Sequence, residues 1–501
     1  MQKTPVYVRF LSTDLQGFYS HLLKTYPLPL MIGTSSLIFF ACSSLRHALF
    51  QSGAFDLGIY DQVVYLISQG RSPISSILEF HHLGNHAAWA VYPLALLYKI
   101  HPNVHWLLAV QAVALALGAW PTWSLARQAG LTERQAMMIA AVYLLYPVVF
   151  NVNLFDFHPE VMALPALLGT VWAARQNQIV WFSLGIIFVL GCKAVLSLTV
   201  VAMGFWLFFF EKKRRCGAIA LVLGIAWFLV ATKVIIPFFS GSQPAAMYRY
   251  SYLGNSFPEI VKNLLLKPKL VWDKVEVRDS LRYLGQLVLP VIWGLSPKYL
   301  APLVSALPTL LLNILSETGY QRDLGCQYSV PVVPFLLVAV ISTLATGQGW
   351  LRNRQVIILW SFLSFLGIGN HHLFWSNYPT TLDTWEATRE AIYTLRSAEG
   401  TAQVQSQGGV LTTNNVAPHL SERPLVKLAF AETPTADVAA AASINFAEID
   451  YILLNTRYPG WQSTPEYVAS LVEQFKQDES FQLRYQRDDV YLFVKKVEGQ
   501  T

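Results

Sequence analysis

The sequence has few charged side chains for its length. Asp, Glu, Lys and Arg make up 13% of the 501 residues, whereas they make up about 25% of an average soluble domain. Hydrophobic residues reach 54%. A chain with so little charge and so much apolar surface is typical of proteins that cross a bilayer several times, so the composition predicts an α-helical polytopic membrane protein.

Cysteines are also scarce, and the basic residues are not clustered. Cys42, Cys192, Cys216 and Cys326 fall mostly in or beside apolar segments and have no metal-ligand spacing. They predict neither a disulfide framework nor a zinc site. The net charge of +6 is spread along the chain without a dense basic stripe. We therefore expect it to reflect membrane orientation, and we expect no nucleic-acid partner.

Apolar runs recur along the first three quarters of the chain. A membrane span takes about 20 residues, and the first run begins at Leu28 after a mostly polar stretch. That order predicts an uncleaved first helix and not a signal peptide. Counting the shorter runs predicts about eleven transmembrane helices, at 28–50, 104–127, 135–150, 161–174, 179–195, 196–210, 218–239, 281–295, 299–315, 328–346 and 356–375.

The stretch from Ala87 to Ile100 is short for a span and contains a proline, so we interpret it as re-entrant or interfacial. Leaving it out places the basic run 212–215 on the same side as the basic N-terminus. The positive-inside rule assigns that side to the cytoplasm. Asp56 and the later segment 153–160 then both face the outside of the plasma membrane.

The loop from Gly241 to Ser280 does not follow this charge rule. It would be external, yet it is rich in basic residues, Arg249 among them. One interpretation is a basic amphipathic segment that lies on lipid headgroups. The alternative is a cradle for a phosphate-bearing substrate, with Arg249 and the later Arg322 as candidate phosphate ligands.

The composition changes abruptly after about Asn377. This change divides the chain into a transmembrane domain, residues 1–376, and an external soluble domain, residues 377–501. The second part is predicted to be a small α/β domain, with helices at Thr384–Leu395 and Pro465–Gln477, short strands at Gly409–Thr413 and Tyr451–Leu454, and a hairpin within Gln482–Lys495. It has no glycine-rich phosphate loop, so nothing in it indicates nucleotide binding.

Two acids follow the first apolar run directly, Asp56 and Asp61. A carboxylate near the water boundary can accept a proton from an acceptor hydroxyl, so both are catalytic candidates. His82 and His86 follow and could bind a phosphate or a metal, which leaves a divalent cation open as a cofactor. The alternative is that Asp56 caps a short helix and that the histidines are ordinary interfacial residues.

A second acidic segment lies at 153–160. Asp156 and Glu160 are four residues apart and would share a face if a helix began here. With His158 they are candidates for contact with substrate or metal. The alternative is that Asp156 or His158 caps a helix whose first turn contains Pro159.

Lys193 is a third candidate because it lies within the apolar run 188–201. An ionisable residue inside a membrane is costly and therefore a candidate for function. It could bind the phosphate of a lipid. The alternative is that its long side chain reaches water at the external end of the helix.

Several of these motifs resemble those of the DUF2079 family of bacterial and archaeal membrane proteins. The resemblance covers most of the chain and rests on FDLGIYDQ at 55–62, HLGNH at 82–86, residues 111–127, NLFDFHPE at 153–160 and APHLSER at 417–423. The family tends to place acidic residues directly after the lysine of the fifth helix. This chain departs from that pattern, since Ala194 and Val195 follow Lys193.

The architecture of that family is similar to that of the GT-C glycosyltransferases. In those enzymes an acidic residue of the first external loop serves the reaction, and a polyprenyl-phosphate sugar is the donor. The resemblance implies that Asp56 is the base, with Asp61 as second choice, and that the membrane lipid carrier is a partner. The alternatives are a transporter or flippase, in which internal repeats are common but none is visible here, and an inactive membrane scaffold.

Overall fold

A computed structural model describes residues 26–401, 408–431 and 445–496, and the chain is mostly helical. The helices of the first part, some of them beginning or ending in a 3-10 or π turn, are α1 (Pro27–Ala48), α2 (Ile59–Ser68), α3 (Trp89–Ile100), α4 (His105–Gln128), α5 (Glu133–Leu144), α6 (Pro147–Asn153), α7 (Glu160–Arg175), α8 (Ile179–Cys192), α9 (Leu196–Phe209), α10 (Arg214–Ser240), α11 (Phe257–Leu266), α12 (Pro268–Lys274), α13 (Val277–Val288), α14 (Ala301–Leu315), α15 (Gln327–Ala345) and α16 (Arg354–Ile368). A short hairpin, β1 (Ile74–Ser75) and β2 (Phe80–His81), follows α2.

Four helices of the described chain, α1, α4, α10 and α15, are long and apolar enough to cross a membrane. The number rises to six if two bent pairs each count as one span: α5 with α6, bent by 44°, and α16 with residues 370–399, bent by 50°. Eleven spans are therefore not confirmed. Several apolar runs fold as shorter helices, among them α3, α8, α9 and α14, which are too short to cross a bilayer unaided.

Burial distinguishes the central helices from the peripheral ones. In α15, 78% of the most apolar window is buried, and in α4 the share is 61%. The corresponding shares are only 17% in α1 and 22% in α10. Apolar side chains that are exposed along a spanning helix can face lipid without penalty. We therefore interpret α4 and α15 as the centre of the helical region and α1 and α10 as its lipid-facing border.

The C-terminal part contains a five-stranded sheet and two helices. Its elements are α17 (Leu382–Thr401), β3 (Gly409–Thr412), β4 (Val426–Leu428), β5 (Ile449–Asn455), α18 (Pro465–Gln477), β6 (Phe481–Arg487) and β7 (Val490–Lys495). The strand order is β4-β3-β5-β7-β6, with β3 parallel to both of its neighbours and β7 antiparallel to both of its own. The two helices, the two strands and the hairpin predicted from the sequence are confirmed.

The core of this sheet explains why the strands form where they do. β5 has the sequence IDYILLN and is buried along nearly all of its length. Ile452 and Leu454 pack with Phe475 of α18 in one apolar cluster. A strand that is covered on both faces needs such a nearly continuous apolar run. Because β3, β4 and β5 run parallel to one another, the loops that follow them lie at the same edge of the sheet.

Candidate functional site

From Asp156 in the loop between α6 and α7 to Glu160, the first residue of α7, every second residue is ionisable, and each one contacts a different charged partner. The three pairs are Arg46–Asp156, Asp56–His158 and Lys193–Glu160. Phe157, which lies between two of these side chains, is fully buried. One short segment thus brings together the end of α1, the loop after α1 and the end of α8. These are the acidic, histidine and lysine candidates that the sequence indicated separately.

Asp56 is the exposed member of its pair. His158 Nε2 lies 3.0 Å from Asp56 Oδ1. The two groups form an ion pair, but their relative orientation is not that of a hydrogen bond. The histidine is 1% exposed, whereas the side chain of Asp56 is 34% exposed. Burial opposes ionisation of Asp56, but the His158 ring, with smaller contributions from Lys193 and Arg46, lowers the pKa of the carboxyl below its usual value. The site therefore presents an ionised carboxylate to solvent.

The pKa of His158 shifts in the opposite direction. Burial alone would lower it, but the charge of Asp56, the contact with Asp56 and the charge of Glu160 together raise it above the usual value. No described residue makes a hydrogen bond with the buried Nδ1 atom. The pair therefore combines a buried imidazole, whose protonated form is favoured, with a more exposed carboxylate.

Gln111 of α4 holds the loop that carries His158. Its Nε2 donates to the carbonyl of Asp156 at 2.7 Å and reaches two carbonyls at the end of α6 at 3.3 Å. Its Oε1 accepts from the His158 N–H at 3.1 Å. The side chain is fully buried. Sequence reasoning missed this role, although a single glutamine within an apolar run was a signal for it.

Asp156 ties the loop before Asp56 to the end of α1. Its Oδ2 accepts from the Gly53 N–H at 2.9 Å, and its other oxygen contacts Arg46. Its φ is +75°, a left-handed conformation that Asp tolerates better than most residues. With both oxygens engaged, Asp156 is placed to fix the backbone of the Asp56 loop.

Side chains of the C-terminal part contact the two residues that precede Asp56. Asn414 Oδ1 accepts from the Ala54 N–H at 3.2 Å. The Phe55 ring contacts the rings of Phe430 and Trp461, with centroid distances of 5.5 Å and 4.8 Å. The sequence did not indicate this contact, because more than 350 residues separate the partners.

Asp61, the second acid of the motif, lies in a different environment. It is fully buried, and its oxygens accept from the hydroxyls of Tyr98 and Ser421, the latter at 2.7 Å. Burial, together with the charge of Glu422, raises the pKa of Asp61 well above its usual value. The structure therefore does not bring Asp61 to the surface on which Asp56 lies.

The two histidines of the HLGNH motif differ in their surroundings. His82 is fully buried, and its Nε2 lies 3.1 Å from the Ala88 carbonyl. Burial lowers its pKa to about 4. The carbonyl of His86 accepts from the N–H that follows Lys193, at 2.9 Å. Burial and the nearby charges of Lys193 and Arg249 lower the pKa of His86 well below its usual value.

Arg249 and Arg322 lie in different settings. The Arg249 guanidinium stands over the rings of Tyr248, Tyr320 and Tyr328, between 5.4 and 5.8 Å from their centroids. Such contacts favour a cation on an aromatic surface. Arg322 Nη1 donates to carbonyls at the end of α14, with the shortest contact, at 2.8 Å, to Ser316. Arg249 lies within electrostatic reach of His86. The Arg322 guanidinium instead binds carbonyls at the end of α14.

The basic loop forms the two short helices α11 and α12. Leu265, Leu266 and Trp272 are 73%, 68% and 79% exposed. Asn263 is the buried residue of α11, and α12 has none. Among the residues that the structure describes, no group of three or more His, Cys, Asp or Glu side chains is placed to hold a metal ion.

The fold is similar to two solved structures of ArnT from Cupriavidus metallidurans, one bound to undecaprenyl phosphate and one in the apo state. Each aligns with a TM-score of 0.54 over 94% of this chain and 98% of the ArnT chain, at 11% and 12% sequence identity. The Archaeoglobus fulgidus oligosaccharyltransferase, in complex with Zn and sulfate, aligns with a TM-score of 0.37 and 11% identity over 85% of this chain and 68% of its own. The chain therefore shares its overall fold with ArnT.

Sequence comparison places the chain in a family. No curated protein matches it. The model of a family described as predicted membrane protein (DUF2079) matches residues 46–492, which include Arg46, Asp56, the loop after α6 and most of the C-terminal sheet. That match spans most of the chain, and the chain belongs to the DUF2079 family.

Proposed function

We propose that the protein is an integral membrane glycosyltransferase that moves a sugar from a polyprenyl-phosphate donor to an acceptor hydroxyl. The observation that most supports this is the Asp56–His158 pair, because it provides an ionised and accessible carboxylate directly after the first helix. The similarity of the fold to GT-C glycosyltransferases supports the same reaction class. ArnT, which shares the fold, was solved with undecaprenyl phosphate bound, and this supports a carrier lipid of that chemistry.

In the proposed reaction, Asp56 takes the proton of the acceptor hydroxyl while the acceptor oxygen attacks C1 of the donor sugar. The bond between C1 and the phosphate oxygen breaks, and the polyprenyl phosphate leaves with the electron pair. A single displacement of this kind inverts the configuration at C1. The charge of His158 keeps Asp56 ionised before the reaction, and the exposure of Asp56 lets the proton pass to water.

We assign the phosphate of the donor to Lys193, Arg249 and His86. Lys193 and Arg249 both lie within electrostatic reach of His86, whose neutral ring can still donate a hydrogen bond. Lys193 also contributes to the field at Asp56. A developing phosphate anion is stabilised best by charges that are already in place. Glu160 holds the ammonium of Lys193 in position. Arg322 is not part of this assignment, because carbonyls of α14 hold its guanidinium.

Asp61 and Asp156 have positioning roles in this proposal. Asp61 links α2 to Tyr98 and to Ser421 of the C-terminal domain. Asp156 holds Gly53 and Arg46. Both therefore orient the loop that carries Asp56. We assign neither to proton transfer.

The test is a reconstituted transfer assay. Purified protein in proteoliposomes is supplied with a panel of undecaprenyl-phosphate monosaccharides and with a membrane extract as the acceptor source, and the release of undecaprenyl phosphate is measured together with glycosylated product. We expect Asp56→Asn to lower the rate by about 100-fold or more, the contribution of a general base. Asp279→Asn, which changes an exposed acid of α13, is the matched control and should keep the wild-type rate.

Two outcomes would contradict the proposed reaction, and a third would contradict the assignment of Asp56 as the base. Movement of a labelled carrier lipid across sealed vesicles without release of sugar would indicate a flippase. Absence of both release and movement with every donor of the panel would indicate an inactive scaffold. Equal rates for Asp56→Asn and Asp279→Asn would show that Asp56 is not the base, even if transfer occurs.

A further inference from the structure

A cavity of about 240 Å³ lies next to the Asp56 loop. It is formed by the end of α1, the loop after α6, the loop before α15 and residues 370–378. Pockets for drug-sized ligands begin at about 300 Å³, so this cavity suits one small unit such as a single sugar ring. Neither Lys193 nor Arg249 lines it, which separates it from the group that we assign to the donor phosphate.

Three lining residues connect this cavity to the Asp56–His158 pair. The Phe155 ring stacks on the His158 ring, with 5.2 Å between centroids and an interplanar angle of 15°. Arg46 and the thiol of Cys326 both line the cavity and lie within electrostatic reach of Asp56. A ligand in the cavity would therefore be one side-chain layer away from the proposed base.

The cavity wall has polar groups with unused hydrogen-bonding capacity. Asp323 is an exposed residue; its Oδ1 accepts from the Gly325 N–H at 2.7 Å, and no described residue donates to its Oδ2. The Asn370 side-chain amide makes no hydrogen bond to the described residues, and Asn377 also lines the space. An amide both donates and accepts, and a carboxylate accepts, which matches the hydroxyl groups of a sugar. An apolar ligand would leave these groups unpaired, and an anionic one would be repelled by Asp323.

We propose that this cavity is part of the acceptor site and that it takes a saccharide ring next to the one that carries the reacting hydroxyl, since Asp56 itself does not line it. The proposal rests on the proposed function, since it assigns the acceptor of the same reaction. Asp323 and Asn370 bind the hydroxyls of the ring in the cavity. Phe155 supplies an aromatic wall for the ring.

Gly325 provides a way to narrow the cavity. A Cβ atom at this position would lie 2.9 Å from Asn370 Nδ2 and 3.1 Å from Asp323 Oδ1, so a methyl group would enter the space between them. Gly319 lies in the preceding turn and has no heavy atom within 4 Å of an added Cβ. Neither glycine has a positive φ. Gly325→Ala and Gly319→Ala are therefore a matched test and control.

The experiment measures binding without turnover. Full-length protein in phosphatidylcholine nanodiscs is incubated with free monosaccharides, namely a neutral hexose, an N-acetylhexosamine and a pentose, and amide hydrogen exchange is followed by mass spectrometry. We expect at least one sugar to slow exchange in residues 323–326 and 370–378. Gly325→Ala should weaken its binding by about tenfold, as expected for the loss of one or two hydrogen bonds. Gly319→Ala should bind as the wild type does.

Two results would overturn the subsite. One is that no sugar of the panel protects these segments. The other is that Gly325→Ala and Gly319→Ala bind alike. If Gly325→Ala does not fold, Asn370→Ala replaces it with the same expected tenfold loss. Binding is measured directly here. A failure of the transfer assay would therefore contradict the proposed function, but it would not show whether the cavity binds a sugar.

Discussion

His158 Nε2 lies 3.0 Å from Asp56 Oδ1, with the imidazole buried and the carboxylate one-third exposed. This arrangement divides two tasks between the partners. The buried ring supplies a positive charge that solvent does not screen well. The exposed carboxylate meets the substrate. The base and the group that sets its protonation state are therefore different residues from different loops.

Replacing His158 by glutamine tests this division. The substitution removes the charge that lowers the pKa of Asp56, while the burial that opposes its ionisation stays. We expect the pKa of Asp56 to rise. The acidic limb of the pH–rate profile in the transfer assay should then move to higher pH, by at least about one pH unit. A profile that falls uniformly without moving would show that His158 does not control the ionisation of Asp56.

The same pair predicts a pH window for stability. The pKa of Asp56 is lower in the folded protein than in the unfolded chain. Asp56 therefore adds to the free energy of unfolding above its unfolded pKa of about 3.9, and this stabilisation is lost as the pH falls through the folded pKa. The pKa of His158 is higher in the folded protein than in the unfolded chain. His158 therefore adds to the free energy of unfolding below its unfolded pKa of about 6.5, and this stabilisation is lost as the pH rises through the folded pKa. The difference in Tm between wild type and His158→Gln should be largest between about pH 4 and 6.5. A difference that does not vary with pH would contradict the ion pair.

Lys193→Met should destabilise the helical region strongly. Glu160 is 4% exposed, and its Oε2 has no hydrogen-bond partner among the described residues. Removing the lysine leaves a buried carboxylate without its counter-charge, which costs about 3–5 kcal/mol. The double variant Lys193→Met, Glu160→Gln should recover much of this loss, because no uncompensated charge is then buried. Thermal unfolding of the two single variants and the double variant in nanodiscs measures the coupling. Additive effects would show that the two side chains do not interact.

Asp61→Asn separates a positioning acid from a catalytic one. An asparagine can accept from Tyr98 or from Ser421, but its amide nitrogen cannot accept from the other hydroxyl. We expect a loss of about 1–3 kcal/mol and faster amide exchange near Ser421. Transfer should fall less than about tenfold, compared with about 100-fold or more for Asp56→Asn. An equal loss in both variants would place Asp61 in the reaction.

The sequence predicted where candidate residues lie along the chain better than it predicted which residues they contact. Asp56 and the segment 153–160 were visible because polar residues interrupt a strongly apolar pattern. The Arg46–Asp156 pair joins residues 110 positions apart, and no local pattern specifies that distance. Likewise, the interaction of Gln111 with the loop after α6 depends on how α4 packs. Packing decides which of several ionisable groups meet, and a single sequence does not contain that information.

The fold shows the same difference between local and non-local information. The elements of the C-terminal domain follow local patterns of alternation and turns, so the hairpin within Gln482–Lys495 was predicted correctly. The eleven spans are not confirmed, because hydropathy does not show that the chain bends by 44° between α5 and α6 or that α8 and α9 end after 14 residues each.

The exposed apolar side chains of α11 and α12 lead to a last prediction. Leu265, Leu266 and Trp272 are each more than two-thirds exposed, and exposed lysines such as Lys262 and Lys269 accompany them. Apolar groups interleaved with basic ones favour the headgroup region of a bilayer over water. This arrangement favours the first interpretation for α11 and α12, a segment that rests on lipid, whereas Arg249 lies outside these two helices and keeps its proposed role at the donor phosphate.

A fluorophore attached at position 272 measures this directly. In a variant whose four native cysteines are replaced, Trp272→Cys is labelled with an environment-sensitive dye, and Tyr393→Cys is the control because Tyr393 is 74% exposed on α17. We expect the dye at 272 to show blue-shifted emission and to be quenched by lipid-borne quenchers. Anionic phosphatidylglycerol should strengthen the effect and added salt should weaken it, since the lysines provide part of the attraction. Emission at 272 that matches emission at 393 would mean that α11 and α12 lie in water and do not rest on lipid headgroups.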